Sequence, residues 1–70
     1  MSVLRINGKE ETFPADNMPA TIAELLGRLG VDAATVVAEV DGQIVERANF
    51  AATPLHNGQN IELVRFVPGG

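Results

Sequence analysis

Two consecutive glycines, Gly69-Gly70, close the sequence after Pro68, and they are the first residues to weigh for chemistry. Without Cβ atoms such a segment is slim and takes up most φ/ψ values. It can thread a narrow channel and place a carboxylate deep inside another protein. Extended, residues 67–70 would reach about 13 Å at ~3.3 Å each. A terminal carboxylate is itself unreactive toward nucleophiles. A mixed anhydride with AMP would make it electrophilic, and a sulfur nucleophile could then convert it to a thiocarboxylate. The same two glycines also fit a frayed chain end with no task, or a truncation.

The rest of the chain offers little chemistry. There is no cysteine, hence no disulfide, no thiolate nucleophile and no cysteine-held zinc. His56 is the only histidine, and it falls in an expected loop without a partner to activate a nucleophile. Ser2 is the only serine and sits near the chain start. No GxGxxG or GxxxxGK run is present to cradle a phosphate. The carboxylates are spread without an evident pair. A catalytic pocket needs concave volume, which 70 residues with one helix can hardly enclose. The expectation is therefore no catalytic residue, no metal ligand and no enzyme.

The elements that must position the tail can be read from period and punctuation. Val3 to Asn7 alternates as a strand. Asn7-Gly8 follows as a hairpin signal, since both residues tolerate the positive φ of a type I′ turn. The return strand runs from Lys9 to Phe13 and stops at Pro14. After a loop, Thr21 and Glu24 form a capping-box pattern. Ile22, Leu25, Leu26 and Leu29 follow with the spacing of one buried helical stripe. Gly30 suits the C′ position that ends the helix. Gly27, inside it, costs about 1 kcal/mol relative to Ala; close packing of helix on sheet is one reason a glycine would stand there. Val36 to Val40, Asp41-Gly42 and Gln43 to Glu46 read as a second hairpin. Arg47 to Leu55 reads as irregular. After Asn57-Gly58, Ile61 to Val67 is the last strand. The order ββ–α–ββ–β implies a two-layer α+β domain with the helix stripe on one sheet face.

Seventy residues allow one domain, because so short a chain cannot build two cores. Stability must come from aliphatic packing, which 46% hydrophobic residues can supply. Net charge is −4 and the pI near 4.6. The five basic residues, Arg5, Lys9, Arg28, Arg47 and Arg65, are scattered. Nucleic-acid binding, which needs clustered cations, is not expected. The start of the chain has no apolar signal-peptide run, and no stretch approaches the ~20 apolar residues of a membrane span. A cytoplasmic protein, monomeric when free, is the expectation.

The chain resembles the thiamin-biosynthesis sulfur-carrier family (ThiS), a ubiquitin-like group, over essentially its whole length. The residues that carry the likeness begin with Val3-Leu4-Arg5-Ile6-Asn7-Gly8 and Thr21-Ile22-Ala23-Glu24-Leu25-Leu26. The block from Val40 to Arg47 and the run from Leu55 to Val64 continue it, and Phe66-Val67-Pro68-Gly69-Gly70 closes it. The family often has Asp where Asn60 stands and Gly where Pro68 stands; neither departure touches the terminal pair. The resemblance implies a β-grasp fold, a mixed sheet of four to five strands packed on one main helix, with the last strand parallel to the first in the middle. It implies a domain over residues 1–67 and a flexible tail over 68–70. It further implies that Gly70, with Gly69 before it, is adenylated by an ATP-using, ubiquitin-activating-like (ThiF-like) enzyme. A sulfur donor system would then give the thiocarboxylate, and a thiazole synthase (ThiG-like) would take the sulfur. The carrier would bind no cofactor itself.

Such partners need a surface. If Ile61 and Leu63 point into the core, alternation puts Val64 and Phe66 on the open face, with Val3 a candidate neighbour, and Val67 and Pro68 lead on to the tail. Arg65 shares the inner parity and is expected at the rim with its head in water. Other readings stand beside this one: a carrier for the molybdenum cofactor or another thiolated product, a ubiquitin-like protein modifier, or a β-grasp interaction module with an idle tail.

Overall fold

The computed structural model describes residues 1–14 and 16–66. The expected tail, residues 68–70, therefore lies outside the described residues, as does Val67, the last residue of the expected final strand. Five strands form one sheet in the order β2-β1-β5-β3-β4. They are β1 (Ser2–Ile6), β2 (Lys9–Phe13), β3 (Val36–Val40), β4 (Gln43–Val45) and β5 (Asn60–Arg65). β1 pairs antiparallel with β2, β3 with β4 and β3 with β5. β5 runs parallel to β1, with Arg5 level with Asn60 and Ile6 with Ile61. The mixed sheet and its central last strand are as the resemblance implies.

Both expected hairpin turns form for the expected reason. Asn7 and Gly8 take φ of 52° and 80°, and Asp41 and Gly42 take 50° and 85°. A pair of positive φ values is the type I′ signature, whose twist matches that of the flanking strands.

The helix α1 (Ile22–Leu29) starts where the cap predicts. Thr21 Oγ1 accepts from the Glu24 N–H at 3.2 Å. Glu24 reaches back in turn, but its carboxylate accepts from the N–H of Ala20, one residue before the cap. The far end closes on Gly30 at φ 70°, whose N–H donates to the C=O of Gly27. Arg28 Nη2 lies 3.4 Å from Glu24 Oε1, one turn away.

The core lies between α1 and one sheet face. Leu4, Ile6, Val36, Ala38, Val40 and Ile61 come from the strands, and Ile22, Leu25 and Leu26 from the helix. Phe50 and Leu55 complete it from the segment expected to be irregular. Arg47–Ala52 there forms a 3₁₀ helix that turns Phe50 inward. Its successor is tied to the helix start: Ile22 N–H donates to Thr53 O at 3.2 Å, and Leu55 N–H to Ala20 O at 2.9 Å.

Two expectations about α1 are corrected. Leu29 is 48% exposed, so the buried stripe ends at Leu26 and the last turn is left open to water. Gly27 is not explained by close packing, because a Cβ there would meet nothing within 4 Å. It carries the backbone-entropy cost of a mid-helix glycine with no steric return. Gly27→Ala is therefore expected to stabilise the domain by about 1 kcal/mol. That corresponds to a rise in Tm of roughly 4–8 °C for a domain of this size, read by thermal unfolding.

The hydrogen bond from the Ala20 N–H is the main cause that holds the Glu24 carboxyl below the ordinary glutamate value of 4.5; desolvation opposes it, and Arg28 adds to it. A carboxyl with a depressed folded-state pKa contributes stability that is present above its unfolded pKa and is lost as pH falls through the folded one. Acid titration of the wild type should thus show stability falling below about pH 4.5, and Glu24→Gln should flatten that part of the curve.

Candidate functional site

The sheet has one face on the core and one in water. Alternation in β5 assigns Ile61 to the core, fully buried, with Leu63 packed partly against it. Val64 is 57% exposed and Phe66 46%, so both expected partner-facing residues lie on the open face. Arg65 is exposed, as expected of a residue whose parity points inward at the rim. The remaining named site residues, Val67, Pro68, Gly69 and Gly70, lie outside the described residues.

Pairing register extends this face beyond what was singled out. Val64 stands opposite Val37 on β3, and Glu62 opposite Glu39. Ile44 on β4 stands opposite Glu39 on its other side. Val37 and Ile44 are 41% and 69% exposed. Val36, Ala38 and Val40 are buried, so the same alternation turns Val37 and Glu39 outward. That parity was available in the sequence; the neighbour across the strand was not. Val3 is placed differently from the expectation. Gly58 N–H donates to Val3 O at 2.7 Å, which sets Val3 level with the start of β5. Val64 is six residues further along, roughly 20 Å at ~3.3 Å per residue, so Val3 is not part of the patch.

Three polar side chains hold the strand that presents this face. Asn7 Oδ1 accepts from Leu63 N–H at 2.7 Å. Asp41 Oδ1 accepts from Asn60 N–H at 2.9 Å. Asn57 Oδ1 accepts from Val3 N–H at 2.7 Å. The first continues the β1–β5 ladder one rung past the point where the β1 backbone turns away, beyond Asn7 N–H donating to Ile61 O at 2.9 Å. On the other side the pairing with β3 persists to the end of the strand and past it, where Phe66 N–H donates to Thr35 O at 2.9 Å.

Three of the five cations pair with carboxylates on the described surface. Arg5 pairs with Glu10, Lys9 with Glu11 and Arg28 with Glu24, at 3.4–3.8 Å. Exposed pairs of this kind contribute little stability. Glu39 and Glu62 have no cation within ion-pair distance among the described residues. No group of three His, Cys, Asp or Glu side chains among the described residues could hold a metal ion. No described helix is long and apolar enough to cross a membrane.

A mixed sheet of this order, closed over one helix and bearing an open apolar patch beside its central last strand, defines a ubiquitin-like β-grasp domain. The chain belongs to the ThiS family, whose model matches residues 4–70. It is similar to a thiamine biosynthesis protein (ThiS) from Geobacter metallireducens, known from a crystal structure. That likeness has 36% identity and a TM-score of 0.80, covering 97% of this chain and 99% of that one. A solution structure of a thiamine biosynthesis protein from the same organism matches with 35% identity and a TM-score of 0.76, over 100% of this chain and 88% of that one. A thiazole synthase from Paramagnetospirillum magneticum is 39% identical over 67 residues, 96% of this chain. The chain spans 20% of that relative's length.

The Asn7 contact makes a direct test of how β5 is held. Asn7→Ala removes both a side chain that tolerates positive φ and the acceptor for a ladder N–H. It should cost about 1–3 kcal/mol and speed amide exchange at Leu63. Asn7→Gly, which keeps the backbone conformation, should recover the turn but not the slow exchange.

Proposed function

We propose that this protein is a sulfur carrier for thiazole formation in thiamin biosynthesis, a protein co-substrate of other enzymes and not itself an enzyme. The observation that carries the reading is the family match through residue 70, on a domain whose open face runs to Phe66 at the edge of the tail. The similarity to a thiazole synthase over most of this chain supports thiazole synthase as one partner.

The Gly70 carboxylate attacks the α-phosphorus of ATP in a partner's active site, and pyrophosphate leaves. A hydrosulfide-equivalent sulfur then attacks the acyl carbon, AMP departs with the bonding electron pair, and a thiocarboxylate remains. Gly69 and Gly70 supply a profile narrow enough for the channel this requires. Val64 and Phe66, with Val67 and Pro68 leading on from them, bind the adenylating enzyme and then the thiazole synthase. Burial of such exposed apolar side chains on docking contributes affinity without needing any catalytic group in the carrier.

The decisive measurement is intact mass after incubation with ATP, sulfide and the adenylating enzyme, beside a variant lacking Gly70. A gain equal to sulfur replacing one oxygen, confined to the full-length chain, is the expected result; no gain overturns the reading. Phe66→Ala should raise KM for the carrier in the adenylation reaction several-fold, with kcat and Tm little changed. A thioester or isopeptide product in place of the thiocarboxylate would instead mark a protein modifier.

A further inference from the structure

Asparagine precedes glycine twice in this chain, at Asn7-Gly8 and at Asn57-Gly58. Such a pair carries its own chemistry. The backbone nitrogen after an asparagine can attack that residue's side-chain amide carbon and close a five-membered imide. Glycine leaves the approach open because it has no Cβ. The other asparagines, Asn17, Asn49 and Asn60, precede Met18, Phe50 and Ile61, whose side chains crowd it. Both Asn–Gly pairs are exposed, so exposure does not separate them. Hydrogen bonding does.

The electrophile is prepared alike at both. Asn7 Oδ1 accepts from the Leu63 N–H and Asn57 Oδ1 from the Val3 N–H, each at 2.7 Å. A donor on the amide oxygen draws electron density from the carbon and stabilises the oxyanion that forms on attack. The nucleophiles differ. Gly58 N–H donates to Val3 O at 2.7 Å, so its nitrogen is tied to β1 and its proton to an acceptor. Gly8 N–H donates to no oxygen among the described residues. It stands in the middle of a two-residue turn, outside the ladder.

We infer that Asn7 is a site of spontaneous deamidation in the folded domain and that Asn57 is protected from it. The Gly8 nitrogen attacks Asn7 Cγ and gives up its proton to water. The Cγ–Nδ2 bond breaks, and Nδ2 leaves with the electron pair as ammonia. Water then opens the imide at either carbonyl. Opening at Cγ leaves an aspartate in a normal main chain. Opening at the backbone carbonyl leaves an isoaspartate, with Gly8 joined to Cγ and one more carbon in the main chain. The two products differ in consequence. Asp41 is the precedent for a carboxylate in this setting. It holds φ 50° in the second hairpin turn, accepts from the Asn60 N–H on Oδ1 at 2.9 Å and donates its own N–H to Asn60 O. An aspartate at position 7 keeps the rung to Leu63 in the same way. The isoaspartate lengthens a two-residue turn and draws its free carboxylate one carbon nearer the main chain, so the rung is lost and β5 loosens near its end.

The test incubates the folded protein in mildly alkaline buffer, beside the same protein unfolded in urea, and follows both Asn–Gly peptides by mass for an amide turned carboxyl. In urea the two sites should convert at similar rates. In the folded protein Asn7 should convert about tenfold faster than Asn57, the factor one backbone hydrogen bond is worth. Part of the product should accept methyl groups from S-adenosylmethionine through an isoaspartate-specific carboxyl methyltransferase. The isoaspartate form, separated from the rest, should exchange its Leu63 amide about tenfold faster than the unmodified protein, while Asn7→Asp keeps it slow. Equal rates at the two sites in the folded protein, a faster Asn57, or no conversion of Asn7 where the unfolded chain converts, overturns the inference. So does an isoaspartate form whose Leu63 amide exchanges as slowly as that of the unmodified protein.

Discussion

The position of β5 between β1 and β3 is the constraint from which the remaining arrangement follows. It joins the two hairpins, one from the start of the sequence and one from its middle, parallel to β1 and antiparallel to β3. Until it is in place, the two hairpins share no hydrogen bonds along their strands. Parallel pairing needs a long crossover, and here the whole middle of the chain serves as one. Short polar side chains compensate for how brief the β1–β5 contact is. Asn7, Asn57 and Asp41 each accept from a backbone N–H on or beside that junction, so residues that build the turns also fix the register.

With β5 placed, the core follows from two simple periods. Ile61 meets Ile6 and Val40 across the strands, and Ile22, Leu25 and Leu26 cover them from above. A domain this small buries a limited fraction of its surface, so every buried aliphatic counts. The 3₁₀ segment contributes because it brings Phe50, the one fully enclosed aromatic among the described residues, under the helix. The outer face is then left to residues the core does not need.

Much of this was legible in the residues. Asn7-Gly8 and Asp41-Gly42 state their turns through the φ they require, and Thr21 to Gly30 states a helix by cap, stripe and stop. Parity in β5 was enough to put Val64 and Phe66 outside. Less legible were features set by tertiary neighbours. The helical spacing of Leu29 says which way it points, but not that nothing covers the last turn. Arg47 to Ala52 has no strong period, and a single Phe among small and polar residues gives no sign that it will be core. Val3 has the right parity for the open face, yet the parallel register sets it at the far end. The pairing of Glu39 with Glu62 depends on a register that neither strand encodes alone.

The short polar rung at Asn7 also bears on how such a domain avoids its own kind. The outer strand β2 carries Lys9, Glu10 and Glu11 along its length, and β4 is three residues long. Past Asn7, the side of β5 that β1 has left offers unpaired backbone over only a couple of residues before the described strand stops. A growing stack of sheets needs a longer, flatter edge than any of these to template on. The domain therefore holds apolar side chains out in water while its described edges, short or lined with charge, give neighbouring copies little backbone to grip.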